Sequence, residues 1–415
     1  MAFKYNWIVR LDSNSMVYLI THSDAGIPLK SLYRTILLMS DPEVDTKTET
    51  KQTQRYYKID CHTHILPSKL PSDYYTRYKE GPTYVTFQPC SDSCNVRMYK
   101  GGQFFREVEP NCFHPDARLL DMERTDVDVQ VLSTVPVMMS YWPDPDDALD
   151  FSRLINDELL EIAETHPNKF VVLGTVPLNH PEQAIKELRR IMDLGAVGVQ
   201  IGSNVNGEQL SEPKFFPFFE ECEHLNACIF VHPWNMPREK ETSKYWLPWL
   251  VGMPMETTMA ICSFIFGAIF DRLPKLRVMF AHGGGSFPGT IGRIEHGWRC
   301  RPDLVRIHTQ KNPREFLGKF WVDSLVHDDD ALGTLHRLIG ADKIVLGSDY
   351  PFPLGEDVPG LGVETSSHLS EDAKAKILWQ NAFEWLGISA KRFEAAIDEA
   401  KQKAVQKSNE KVVAE

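Results

Sequence analysis

The 415-residue sequence contains no uninterrupted apolar run of the eighteen or so residues that a membrane span needs. Its longest apolar stretch, Met259 to Phe270, has the length of a buried core helix. Basic residues are in deficit, with 45 Lys and Arg against 57 Asp and Glu and a net charge of -12. No basic stripe offsets that balance, which argues against a nucleic-acid partner. An acidic chain that binds an anion must do so through a few arginines placed in a pocket. Cysteine is sparse: the chain has 8, and the Cys90/Cys94 pair has no second pair beside it to complete a metal knuckle. The start lacks a charged leader followed by an apolar core. The expectation is a cytoplasmic protein with free thiols and no membrane association.

A Gly-rich turn after the first strand is also missing, since that position reads His62-Thr63-His64-Ile65-Leu66-Pro67. This argues against a nucleotide-binding, doubly wound sheet, the alternative α/β architecture. What is present is a regular alternation. Apolar strand candidates are Lys58–His62, Val127–Thr134, Phe170–Val176, Val197–Ile201, Cys228–His232, Arg277–Ala281, Phe320–Ser324 and Lys343–Gly347. Helical patterns separate nearly all of them, for example 146–166, where Leu154, Ile155, Leu159, Ile162 and Ala163 recur at helical spacing. Eight continuous apolar strands with intervening helices predict a parallel (β/α)8 barrel of the TIM type over residues 56–392. Residues 1–55 read as an N-terminal extension, poorly ordered or peripheral, 393–415 as a charged tail, and about 65–126 as a small β insertion without a long amphipathic helix.

Polar residues collect where the barrel chemistry would be, at the C-terminal ends of the strands. His62 and His64 are two residues apart, so on a strand they share a face. The fifth strand ends in His232-Pro233-Trp234, the sixth in His282-Gly283-Gly284-Gly285 and the eighth in Asp349-Tyr350-Pro351. His62, His64, His232 and Asp349 are the expected ligands of one divalent ion, and three imidazoles with one carboxylate suit Zn2+. A cation lowers the pKa of its water from 15.7 towards about 7. That leaves His282 as general base, because an unperturbed imidazole titrates near pH ~6.5. The fourth strand, Val197-Gly198-Val199-Gln200-Ile201-Gly202, offers no lysine to bridge a second metal. His166, His180, His224, His308 and His336 read as surface residues, and His114 and His327 as residues near loop boundaries.

These segments, together with Gly347-Ser348-Asp349-Tyr350-Pro351-Phe352-Pro353 and Gly292-Arg293-Ile294-Glu295-His296-Gly297, resemble the amidohydrolase superfamily. The resemblance runs from Lys58 to about Arg392. It is narrowest to the decarboxylases that act on 2-amino-3-carboxymuconate 6-semialdehyde. It implies a zinc-dependent, non-oxidative loss of CO2 to give 2-aminomuconate 6-semialdehyde in tryptophan catabolism by the kynurenine route, diverting flux from quinolinate. It also implies that Asp349 returns a proton to the carbon skeleton after His282 has activated the metal-bound water. By the same resemblance Arg106 and Arg293 hold the substrate carboxylates, Arg293 from the neighbouring subunit of a homodimer. Trp234 and Phe352 would wall the pocket, with Trp246 and Trp249 either beside them or in the core. Taken alone, each arginine would read as a surface salt bridge. Alternative readings are a decarboxylase of an aromatic acid and a metal-dependent hydrolase of an amide or lactone.

Overall fold

The computed structural model describes residues 55–70, 76, 78, 84–236 and 242–400. Residues 1–54 of the expected extension and 401–415 of the expected tail lie outside the described residues. In chain order the strands are β1 (Ile59–Ile65), β2 (Val85–Pro89), β3 (Val96–Lys100), β4 (Gln103–Val108), β5 (Val129–Thr134), β6 (Phe170–Thr175), β7 (Gly198–Gly202), β8 (Asn204–Val205), β9 (Glu208–Gln209), β10 (Cys228–His232), β11 (Val278–Phe280), β12 (Trp321–Asp323) and β13 (Ile344–Val345). The principal helices are α1 (Pro115–Arg124), α2 (Pro145–Thr165), α3 (Pro181–Asp193), α4 (Phe216–His224), α5 (Met253–Phe266), α6 (Phe287–Cys300) and α7 (Asp329–Ile339).

Eight of these strands form one parallel sheet in the order β1-β5-β6-β7-β10-β11-β12-β13. The sheet closes on itself. Cys61 N donates to Leu346 O, Asp349 N to His62 O and His64 N to Tyr350 O at 2.8–2.9 Å, and Thr63 bridges Tyr350 in parallel. The fold is a (β/α)8 barrel, as the alternation of apolar strands and helices predicts. An antiparallel sheet of β2, β3 and β4 stands apart as the expected insertion.

Strand parity divides the apolar residues between two cores. Ile229 and Val231 of β10 and Val278 and Phe280 of β11 join the outer core between strands and helices. Cys228 and Phe230, Met279, Trp321 and Val345 join the barrel interior. The same parity then carries the functional positions: His232 continues the Cys228–Phe230 face, Asp323 the Trp321 face and Asp349 the Val345 face. β1 is the exception that makes the pattern work. Its pairing with β5 shifts register between Asp60 and Thr63, so Ile59 and Cys61 sit in the interior core while His62 and His64 also meet inside the barrel. Without that bulge one of the two pairs would point outwards.

Two expectations need correction. Residues 65–126 contain a ten-residue helix, α1, whose buried positions are Arg118 and Met122. A guanidinium occupies the place where the pattern would show an apolar side chain, so periodicity conceals the helix. Residues 393–400 are not a tail, because Phe393, Ile397 and Ala400 pack into the interior core. Lys244–Phe266 is long and apolar enough to cross a membrane by length and composition. Here Ala260, Ile261, Phe264 and Ile265 are buried in the outer core.

Phe230 supports the site from below. Its ring lies 4.8 Å from that of His62, 5.8 Å from that of His232 and 6.4 Å from that of Trp385. Phe230→Ala is expected to lower the unfolding free energy by about 3–5 kcal/mol in denaturant titration. A loss below about 1 kcal/mol would show that the interior collapses around the missing ring.

Candidate metal centre and active site

At the C-terminal mouth of the barrel five side chains converge from four strand ends. One donor atom each from His62, His232, His282 and Asp349 lies within 4.8 Å of every other. His64 Nε2 is 3.2 Å from both His62 Nε2 and Asp349 Oδ1, and His62 Nε2 is 3.5 Å from Asp349 Oδ1. The His62 and His64 ring centroids lie 5.2 and 4.8 Å from that of His232. His282 Nε2 stands 3.7 Å from Asp349 Oδ2. The structure therefore brings together all five residues that the strand ends suggested.

The other nitrogen of each ring distinguishes their roles. His62 Nδ1 donates to Asp323 Oδ2 at 2.8 Å, His64 Nδ1 to Thr134 O at 3.2 Å, and His232 Nδ1 to Pro233 O at 3.0 Å. An acceptor at Nδ1 assigns the proton there and leaves the lone pair on Nε2. Three lone pairs thus face a common point. His232 Nε2 is buried without a partner among the described residues, and His62 and His64 Nε2 have no proton to share across their 3.2 Å contact. A cation satisfies all three at once, and this donor set fits a divalent ion. His282 differs: its Nδ1 has no partner among the described residues. Its ring is the least enclosed of the four, at 17% side-chain exposure, and its Nε2 faces the Asp349 carboxylate at 3.7 Å. That is the condition of a group that exchanges protons.

Electrostatics agree. Burial pushes the His64 pKa down to about 4. Burial and the neighbouring imidazoles hold His232 well below the ordinary range. Both rings are therefore neutral at pH 7, as ligands must be. Burial works against charge on His62, but the hydrogen bond to Asp323 and the Asp349 charge outweigh it and raise its value. Burial likewise opposes ionisation of Asp349, yet the His282 and His64 rings facing it hold its carboxyl well below the usual range. This field favours positive charge among the nitrogens.

Two of these residues are held in strained backbone. His282 has φ 58° and Asp349 φ 57°, the left-handed region that non-glycine residues adopt only when their surroundings force it. Gly347 makes room for His62 and Asp323, since a Cβ there would lie 2.7 Å from the Cβ atoms of both.

A cavity of about 740 Å³ opens over the site, lined by Arg106, Trp234, Trp246, Trp249 and Phe352 together with His64, His232, His282 and Asp349. Arg106 arrives on β4 of the insertion. Its guanidinium carbon lies 4.4 Å from the Phe352 ring centroid, and it makes no ion pair among the described residues. Trp246 and Trp249 stack at 6.0 Å and line the cavity rather than the core. Arg293 is not brought to this site. It is exposed on α6 and does not line the cavity of its own chain. His327 lines the outer part of the cavity, whereas His114 stays outside it.

Two residues were missed by sequence reasoning. Asp323 ends the seventh strand, and the rule applied to the other strand ends would have found it. Arg118 carried no such signal. It is fully buried, donating to His64 O at 2.7 Å, Thr63 Oγ1 at 3.0 Å and Gln130 Oε1 at 3.1 Å, and so fixes the end of β1.

Comparison with known proteins finds relatives over most of the chain. A family model described as amidohydrolase matches residues 59–388. A Dictyostelium discoideum protein named 2-amino-3-carboxymuconate-6-semialdehyde decarboxylase is 52% identical over 82% of this chain and 94% of its own length. A Caenorhabditis elegans protein of the same name is 39% identical over 82% of this chain and 96% of its own. The crystal structure of 5-carboxyvanillate decarboxylase from Novosphingobium aromaticivorans, complexed with manganese, superposes with a TM-score of 0.68 at 22% identity, covering 81% of this chain and 97% of that one.

Metal-depleted protein titrated with Zn2+ is expected to bind about one equivalent tightly. In chelator competition, His232→Ala should weaken binding by more than the ~10–100-fold that loss of an outer partner costs. Undiminished affinity in that variant would remove His232 from the centre.

Proposed function

This chain belongs to the amidohydrolase superfamily and is a decarboxylase; from that premise we propose that it removes CO2 from 2-amino-3-carboxymuconate 6-semialdehyde, yielding 2-aminomuconate 6-semialdehyde. The observation that carries the reading is Arg106, a guanidinium without an ion-pair partner among the described residues, beside the imidazole cluster in a cavity walled by aromatic rings. Burial lowers the Arg106 pKa from its very high ordinary value. The group remains charged, and a carboxylate is its natural partner. In this reading the enzyme diverts carbon from quinolinate in the kynurenine route of tryptophan catabolism. The cysteines are all free, which supports a reducing, cytoplasmic setting.

His62, His64, His232 and Asp349 would hold a zinc ion. Bound there, it supplies Lewis acidity and a nucleophile derived from water near neutral pH. The chain's own groups do the rest. Arg106 orients one substrate carboxylate by paired hydrogen bonds. Trp234, Phe352 and the stacked Trp246 and Trp249 exclude water, which strengthens every charge interaction inside. His282 takes up the proton released on addition to the conjugated system, and the electron pair that addition places on the carbon bearing the departing carboxylate is answered by a proton passed on through Asp349 Oδ2, 3.7 Å from His282 Nε2. Departure of CO2 then supplies the electron pair that re-forms the double bond and expels the added hydroxyl, which regains a proton as water.

The second carboxylate calls for a second cation. Arg293 stands on α6, and α6 contacts α5. α5 and the segment that leads into it, 244–252, expose Tyr245, Leu250, Val251, Met255 and Met259 to solvent. An apolar surface of this kind suits a homodimer interface, with Arg293 reaching into the neighbouring cavity.

Purified, zinc-loaded protein mixed with freshly generated substrate is expected to liberate CO2 as the near-ultraviolet absorbance falls, faster than spontaneous cyclisation. Hydrolysis of a lactone or amide without CO2 release would overturn the reading. His282→Ala should keep its metal and lose about 10²–10⁴-fold in kcat. Mixing inactive His282→Ala with inactive Arg293→Met tests the shared site. Re-associated dimers should recover about a quarter of wild-type activity, because one site in each mixed dimer is intact. No recovery in dimers shown to have exchanged subunits would place Arg293 outside the site.

A further inference from the structure

Asp323 does not itself line the cavity, yet it is hydrogen-bonded to both halves of the site. Its side chain is fully buried at the end of β12. Oδ2 accepts from His62 Nδ1 and from the backbone N–H of His282, each at 2.8 Å. Oδ1 accepts from Gly283 N at 2.8 Å and Leu325 N at 3.2 Å. All of these neighbours donate, so a carboxylate is the one side-chain group of this size that answers every one of them.

Each hydrogen bond has a separate consequence. The first keeps the His62 proton on Nδ1, so that Nε2 presents its lone pair to the shared point. The second and third grip the start of a loop in which His282, Gly283, Gly284 and Gly285 all have positive φ, at 58°, 61°, 78° and 64°. The three glycines adopt that region freely, whereas His282, with its Cβ, keeps it only where surrounding contacts over-determine it. Here the contact is the same carboxylate that sets the ligand. A shift of β12 relative to β1 or β11 would therefore disturb the metal ligand and the proton-exchanging histidine together.

We propose that Asp323 is a positioning residue that sets the tautomer of His62 and the placement of His282 through one carboxylate, coupling metal affinity to proton transfer. The metal half stands on the hydrogen bonds alone. The proton-transfer half rests on the role given to His282 above.

The test is Asp323→Asn, which keeps the shape and replaces one acceptor by an NH2 donor. Whichever way the amide turns, that NH2 faces N–H donors. If it turns towards His62, the imidazole proton is driven to Nε2, where it blocks ligation. Zinc affinity by chelator competition is expected to fall about 10–100-fold. At saturating zinc, kcat should stay at least about tenfold below wild type while KM changes little, since Arg106 is untouched. Wild-type zinc affinity in the variant overturns the proposal. Full recovery of kcat at saturating zinc overturns the coupling. Should the variant fail to fold, histidine-selective 15N NMR of zinc-loaded wild-type protein decides, because His62 must carry its proton on Nδ1. A His62 ring bound through Nδ1 or protonated at Nε2 contradicts the assignment. The affinity and NMR results stand whether or not the protein turns over the proposed substrate, so failure of that reading is separately visible.

Discussion

An imidazole buried in a protein must do something with both of its nitrogens. In this barrel His62, His64 and His232 each give the Nδ1 proton to a fixed acceptor, a carboxylate or a backbone carbonyl. The three Nε2 lone pairs are then directed at one another at the floor of the cavity. Lone pairs cannot satisfy lone pairs, and leaving buried acceptors unanswered costs about 1–3 kcal/mol each. The arrangement is stable as a set only around a positive charge, and Asp349 completes it with an anionic oxygen. The placement of Arg106, the cavity and His282 has chemical meaning because that point exists.

The barrel creates the point through parity and closure. Alternate residues of each strand face inwards, so an inward apolar residue is followed two positions later by an inward polar one, as in Phe230 and His232 or Trp321 and Asp323. The bulge in β1 brings two histidines inside where regular pairing would have kept only the Ile59–Cys61 face there. Closure between β1 and the segment after β13 sets Asp349 against His62 through backbone hydrogen bonds. Arg118, buried in α1, holds the carbonyl of His64. The site is therefore fixed mostly by backbone and by residues that never face the cavity.

Much of this was legible in the sequence. The eight apolar runs correspond to the eight barrel strands because inward and outward faces of a parallel barrel are both apolar, which leaves a strong local signal. The histidines at strand ends were legible because barrel chemistry collects there. Other features had no local signature. α1 buries a guanidinium in place of a leucine, and the helical period vanishes with it. The β1 bulge depends on pairing with β5, which sequence alone does not specify. The tautomers depend on Thr134 O, Pro233 O and Asp323, whose proximity exists only after the sheet has closed. The contrast between Arg106 at the cavity and Arg293 away from it has no local signature either, and only the family resemblance implied it. Residues 393–400 looked like a charged tail because their buried positions, Phe393, Ile397 and Ala400, are separated by exposed charged residues.

The claim at the centre is that three imidazoles, each through Nε2, and one carboxylate grip a single divalent ion. X-ray absorption spectroscopy of the zinc-loaded protein addresses it most directly. The account predicts a first shell of nitrogen and oxygen only, near ~2.0–2.1 Å, with outer-shell scattering that requires about three imidazoles. A sulfur scatterer near ~2.3 Å, or a fit satisfied by a single imidazole, would contradict it.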